Sequence, residues 1–144
     1  MFNWVCPAVH GVHAVYPHMV ERGSGGRVIN IASISGIVCN RDIGGRSYET
    51  SKAAVIQFTR AVASDWTAAG VTVNAICPGG FMTEPNVIWA EKNPGIIGTF
   101  KDQIPAGDFG QPEDLGPLAV YLASDASRYM TGAALVIDGG YTLW

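Results

Sequence analysis

Apolar positions along the chain fall into two alternating rhythms. In residues 2–22, Val5, Ala8, Val9, Val12, Val15 and Met19 recur at three- and four-residue intervals, which places them on one face of a helix. Pro7 disturbs that rhythm. Pro17 is expected to kink or re-cap the last turns, because proline removes an amide donor and crowds the carbonyl one turn back. Glycines at 23, 25 and 26 end the element. Residues 27–33 are then largely apolar, as a strand covered on both faces should be. A loop over 36–45 follows. Residues 46–69 return to the helical interval with Ala54, Val55, Phe58, Ala61, Val62 and Trp66, and Gly70 suits the left-handed residue that stops a helix. Residues 71–77 read as a second buried strand, halted by Pro78, Gly79 and Gly80. Residues 84–108 read as irregular, with Pro85, Pro94, Gly95, Gly98 and Pro105 set among Trp89, Ile96, Ile97 and Phe100. Pro112, Glu113 and Asp114 open a helix to about Ser124, with proline in the first turn and acids at the positive end of the dipole. Val136 and Ile137 close a last strand before Asp138, Gly139 and Gly140. Strands alternating with helices predict an α/β fold with a parallel sheet and crossover helices.

Three side chains stand where that architecture places chemistry. Ser33 ends the first strand, and open α/β sheets bind ligands beyond the carboxyl ends of their strands. Tyr48 and Lys52 are four residues apart on the predicted central helix, so they project from the same face. A free phenol has a pKa of about 10, too high for proton transfer at neutral pH. A fixed ammonium nearby favours the phenolate and pulls that value down. A hydroxyl to hold a substrate oxygen and a tunable phenol to move its proton make a carbonyl/alcohol site.

Together with three further segments, these residues resemble the short-chain dehydrogenase/reductase family. NAICPGGFMT at 74–83 is similar to the family's segment beside the nicotinamide. IPAGDFGQPEDLGPLAVYLASD at 104–125 is similar to its Pro-Glu-Asp helix, and YMTGAALVIDGGYT at 129–142 to its closing strand and turn. The resemblance implies the carboxyl half of a doubly wound, Rossmann-like sheet, with residues 1–144 as a partial, catalytic-half domain. It implies NAD or NADP as cofactor and a Ser33–Tyr48–Lys52 triad. Tyr48 would pass a proton to or from the substrate oxygen, and Ser33 would orient that oxygen. Lys52 would lower the phenol's pKa and bond the nicotinamide ribose. Pro78, Gly79, Phe81 and Thr83 would line the nicotinamide and its phosphates. Aligned on Asn30 and Gly36, the catalytic serine falls on Ser33 rather than Ser35, with a 15-residue interval to Tyr48 that the loop CNRDIGGR (39–46) absorbs. The family's fourth catalytic residue, an asparagine holding a relay water, has Asn3 as its candidate, one position upstream of the expected place, which Trp4 fills. Residues 84–108 would be a lid over the substrate. Sugars, polyols and related small ketones are the implied substrates, with 3-oxoacyl thioesters next, and the implied assembly is a homo-oligomer, a tetramer or dimer.

Composition limits the remaining possibilities. Among 18 glycines none forms a glycine-rich turn between a strand and a helix, and GSGGR at 23–27 runs from a helix into a strand, the wrong order for a pyrophosphate cradle. An isolated 144-residue chain is therefore expected to bind a dinucleotide no better than millimolar. Its first strand lacks a neighbour and invites association. At 48% hydrophobic and 15% charged residues, the chain carries more apolar surface than a self-contained domain needs. The net charge of −3 and scattered cations suggest neither nucleic acid nor an anionic membrane surface as a partner, and no apolar run reaches membrane-spanning length. Cys6, Cys39 and Cys77 are odd in number and unpatterned, which points to reduced thiols and a cytoplasmic setting, with Cys77 a buried filler. His10, His13 and His18 lack the carboxylate or cysteine that would complete a metal site. Two other readings remain: an inactive interaction module that joins intact relatives through its helices, and a nucleotide-sugar epimerase or dehydratase. The chain's close at Asp-Gly-Gly-Tyr, without a further substrate domain, disfavours the second.

Overall fold

The computed structural model describes residues 2–41 and 45–143. Its frame is a sheet of three parallel strands in the order β1 (Gly26–Ile31), β2 (Val71–Pro78) and β3 (Ala134–Ile137). The register pairs Gly26 with Val71 through Ile31 with Ile76, and Ala75 with Ala134 through Pro78 with Ile137. Helix α1 (Phe2–Glu21) leads into β1, and α2 (Arg46–Trp66) crosses from β1 to β2. Helices α3 (Glu84–Lys92), α4 (Pro94–Lys101) and α5 (Gly116–Ala123) lie between β2 and β3. This is an α/β fold, the parallel part of a doubly wound, Rossmann-like sheet.

Burial explains the strand order. Every residue of β2 except its terminal proline is buried, as expected for a strand with a neighbour on each side and helices over it. β1 instead alternates: Gly26, Val28 and Asn30 are buried, whereas Ile31 is 58% exposed. The expectation of cover on both faces therefore holds for β2 and fails for β1. Val28 packs with Val71 and Val73 under α1 and α2, against Val12, Val62, Ala63 and Trp66. Asn30 turns to the same side and donates to Thr59 Oγ1 at 2.9 Å, which satisfies a polar group inside the α2 contact. A second cluster of Ala32, Val55, Ile56, Ala75 and Cys77 continues the core toward the carboxyl ends of the strands.

Element boundaries moved for local physical reasons. Helix α1 runs through both Pro7 and Pro17. The central helix stops at Trp66, and residues 67–69 tighten into a 3-10 turn. Gly70 follows in the left-handed region at φ 77°, where its carbonyl accepts the Gly26 amide at 3.2 Å and ties the entrances of β1 and β2 together. The segment expected to be irregular contains two helices. Thr83 is extended, Pro85 sits within the first turn of α3, and Pro94 is the first residue of α4. Proline at a helix start loses no intrahelical bond, so these residues begin helices instead of breaking them. The helix expected from Pro112 opens as a 3-10 turn over Pro112–Leu115 and becomes α-helical from Gly116.

Candidate active site

The carboxyl ends of β1 and β2 and the first turns of α2 converge on one region. β1 stops at Ile31, two residues before Ser33, whose extended backbone caps a 3-10 turn over Ile34–Gly36. The Ser33 hydroxyl accepts the Ser35 amide at 3.1 Å. A hydroxyl that accepts in this way still has its proton to donate. Gly36 presses this turn onto α2: a Cβ there would lie 2.7 Å from the Lys52 carbonyl carbon and 2.8 Å from the Ala53 nitrogen. Glycine is required by that close approach, which brings the serine turn to the helix that carries Tyr48 and Lys52.

On α2 the two side chains are stacked as their spacing predicts. Lys52 Nζ lies 5.5 Å from the centroid of the Tyr48 ring, within cation–π range. The ammonium donates one hydrogen bond, 3.0 Å long, to the Ile31 carbonyl at the end of β1. Burial holds the Lys52 pKa below its ordinary value. The Tyr48 carbonyl accepts the hydroxyl proton of buried Ser51 at 2.7 Å, which fixes the turn that carries the ring. Beneath them, Cys77 is fully buried and burial pushes its thiol pKa up, so it fills the core as an inert thiol.

The loop between Ser33 and Tyr48 is held by polar bonds that sequence reasoning did not single out. Ser35 Oγ accepts from Asn40 Nδ2 at 2.8 Å, so the rival serine has a structural partner. The Asn40 amide donates to Glu49 Oε1 at 2.9 Å, and Arg46 Nη1 donates to both carboxylate oxygens of Glu49 at 2.7 and 2.8 Å. The Arg46 and Asn40 donors together hold the Glu49 carboxyl below the usual carboxylate range. An acid just after the candidate tyrosine, three residues beyond an arginine, was the available signal.

The segment expected to line the nicotinamide follows β2. Gly79 donates to Ile137 O at 2.9 Å, and a Cβ there would meet Asp138 at 2.7 Å, so this glycine packs β2 against the closing turn. Phe81 is buried, its ring filling the space beside Gly110, and its carbonyl accepts from Asn86. The Thr83 side chain does not cap α3. Asn3 lies on α1, but its side chain falls outside the described residues. His13 bonds the Val9 carbonyl and packs between Phe58 and Trp66, a packing role. Among the described residues no cluster of three metal-ligating side chains occurs, and no helix is long and apolar enough to cross a membrane.

The family model described as enoyl-(acyl carrier protein) reductase matches residues 6–142. The galactitol 2-dehydrogenase (L-tagatose-forming) of Cereibacter sphaeroides is 44% identical over 126 residues, which is 88% of this chain and 49% of that protein. The chain belongs to the short-chain dehydrogenase/reductase family.

Other members of the family share the same region. The 2-(R)-hydroxypropyl-CoM dehydrogenase of Xanthobacter autotrophicus is 39% identical over 92% of this chain and 51% of that protein. A short-chain type dehydrogenase/reductase from Mycobacterium marinum superposes with a TM-score of 0.84 at 41% identity, covering 91% of this chain and 50% of that one. An Agrobacterium tumefaciens dehydrogenase solved with bound NADP gives 0.83 at 34% identity, covering 92% and 53%. The chain spans about half the length of the curated relatives it matches.

Beside the serine turn lies a cleft of about 440 Å³, lined by Val38, Cys39, Arg41, Gln103 and Tyr141. It joins the Ser33–Tyr48 loop to Gln103, just beyond α4, and to the closing turn, where Tyr141 Oη donates to Gln103 Oε1 at 3.1 Å. Ser33, Tyr48 and Lys52 are not among the described residues that line this cleft.

Proposed function

We propose that this chain carries the catalytic half of an NAD(P)-dependent oxidoreductase that interconverts a secondary alcohol and a ketone, with Ser33, Tyr48 and Lys52 as its triad. The observation that carries the reading is the stacking of Lys52 against Tyr48 on α2, pinned by Gly36 to the turn that presents the Ser33 hydroxyl. In reduction, the Tyr48 phenol gives its proton to the carbonyl oxygen; in oxidation it takes the alcohol's proton. Ser33 donates its free hydroxyl proton to that same oxygen and stabilises charge as it develops. A half-buried ammonium is a strong neighbour for a phenolate, since low dielectric sharpens their attraction.

The donors present fit the nicotinamide-ribose end of a dinucleotide. Lys52 has three N–H groups, one of which goes to Ile31, and the Thr83 hydroxyl is not spent on capping α3. The bound cofactor would supply the hydride acceptor or donor, and this chain the proton and the orientation. Residues 1–144 hold no glycine-rich strand–helix turn for the pyrophosphate, so that contact would have to come from an amino-terminal half outside these residues. The open edge of β1 and exposed Ile31 are where such a half would pair.

The galactitol dehydrogenases among the relatives favour a sugar or polyol substrate, with a 3-oxoacyl thioester as the second choice in view of the acetoacetyl-CoA reductase of Shinella zoogloeoides. Exposed Val120, Tyr121, Tyr129, Val136 and Leu143 on and around α5 and β3 suit burial in a homo-oligomer. The test is a panel of polyols, sugars and ketones with both nicotinamides, on the chain joined to an amino-terminal half. Turnover on a polyol or its ketone supports the reading. A cofactor-binding protein inactive on the whole panel would favour an interaction module.

A further inference from the structure

Ser33 and Tyr48 must keep a fixed separation although a loop of fourteen intervening residues joins them. Among the described residues, a continuous run of hydrogen bonds crosses that gap. Arg46 grips Glu49 with two bonds, Glu49 accepts the Asn40 amide, and Asn40 Nδ2 reaches Ser35 Oγ. Ser35, through its own amide, then holds the Ser33 hydroxyl. Four of the five residues, Ser33, Ser35, Asn40 and Glu49, are buried. Glu49 is covalently next to Tyr48 and sits in the first turn of α2, where the helix dipole favours a carboxylate. A buried carboxylate there needs donors, and the loop supplies one from its backbone.

We propose that Glu49 is a positioning residue for the Ser33–Tyr48 pair, clamping the loop through the Asn40 amide and so setting where the Ser33 hydroxyl stands relative to the phenol. This rests on the reading of Ser33 and Tyr48 as the catalytic pair. Glu49 acts without touching substrate. It draws the loop backbone onto α2 at Asn40, and Asn40 transmits that position to the serine turn through Ser35. Arg46 is the outer part of the device: its side chain is largely exposed, so its role is to keep the carboxylate charged and aimed.

The experiment uses the full-length enzyme and three substitutions. Glu49→Ala removes the acceptor for the Asn40 amide. Glu49→Gln keeps an oxygen for that amide and sets a second donor against Arg46. Arg46→Gln leaves the carboxylate bonded to Asn40. A misplacement of about 1 Å costs on the order of 100-fold in turnover, so kcat is expected to fall by roughly 10- to 100-fold in Glu49→Ala, less in Glu49→Gln and least in Arg46→Gln. The KM for the nicotinamide should stay within about twofold, because the clamp is aimed at the serine and not at Lys52. Amide exchange at Asn40, read by mass spectrometry or NMR, should quicken by about 10-fold or more in Glu49→Ala, less in Glu49→Gln and least in Arg46→Gln. A Glu49→Ala enzyme with kcat within twofold of the parent, or with unchanged Asn40 exchange, would overturn the proposal; should the alanine variant fail to fold, unchanged exchange in a fourth variant, Glu49→Leu, which removes the acceptor and keeps the bulk, would overturn it equally. Failure of the catalytic reading is separable: it appears as an active Tyr48→Phe enzyme, whereas the exchange measurement decides the role of Glu49 by itself.

Discussion

The Ser33–Tyr48 region and the 84–110 segment close over the same end of the sheet by opposite means. The first is tied by polar bonds among buried groups, with Ser33, Ser35, Asn40 and Glu49 each bonded to the next, and Gly36 jammed against the α2 backbone. The second has two short helices with no buried residue in either. It is held at its far end, where Phe100 stacks on Phe109 at 5.5 Å and on Tyr141 at 4.8 Å, and Lys101 reaches Asp108 at 2.9 Å. Directional bonds fix atoms to a fraction of an ångström, which proton transfer requires. The second rests on apolar contacts without fixed direction, with Phe100, Phe109 and buried Ile104 packed on Ile34 and Tyr141. The chemical site and the cover that we propose for these two regions need such different kinds of support.

Removing chemistry from the rigid region gives the largest effect. Tyr48→Phe deletes one oxygen, so cofactor binding should persist while turnover falls by a factor of about 100 or more. Turnover within threefold of the parent would remove Tyr48 from the mechanism. The serines come next. Ser33→Ala should lower turnover by about 10- to 100-fold, because the developing charge loses a donor. Ser35→Ala should cost less than Ser33→Ala: it cuts the bond from Asn40, but the Ser35 amide that bonds the Ser33 hydroxyl remains. The reverse order would place the catalytic serine two residues later and move the whole comparison with it.

Much of this frame can be read from the residues themselves. The helical interval that stacks Tyr48 on Lys52, the left-handed stop at Gly70 and the buried run of β2 follow from periodicity and glycine chemistry, and each stands where expected. Three features could not be read that way. The partner of Glu49 depends on how a loop of irregular backbone folds back, which no period encodes. The alternating burial of β1 depends on what covers a sheet edge. The helices α3 and α4 hide behind prolines, because proline breaks a helix in its interior and starts one at its first turn.

The proposed cover should respond to loss of its aromatic anchor more than to loss of its ion pair. Phe100→Ala removes two ring stacks, each worth about 0.5–1.5 kcal/mol beyond area burial, and the residue is only partly buried. Global unfolding should shift little, while limited proteolysis within 84–103 quickens and KM for substrate rises with kcat nearly kept. Equal loss of global stability and lid protection would show that the segment belongs to the core.

Acid gives the finest version of the same contrast. Glu49 and Asp108 both have their carboxyl pKa lowered, Glu49 by Arg46 and the Asn40 amide, Asp108 by Lys101 and the Phe109 amide. A carboxyl with a depressed folded pKa adds stability above its unfolded pKa, roughly 4, and that stability is lost as pH falls through the lower folded value. Replacing either acid by its amide should therefore leave less to lose between about pH 5 and the acid end of the titration. Glu49 is buried and ties a loop to a helix, so Glu49→Gln should flatten the acid limb of the unfolding midpoint measurably. The Asp108 side chain is 68% exposed, where solvent and salt screen the Lys101 pair. Asp108→Asn should accordingly give the smallest change, and what change there is should vanish in high salt. An Asp108→Asn enzyme whose acid limb shifted as far as that of Glu49→Gln, with no dependence on salt, would show that the Lys101–Asp108 pair holds its segment as firmly as Glu49 holds the loop beside the tyrosine.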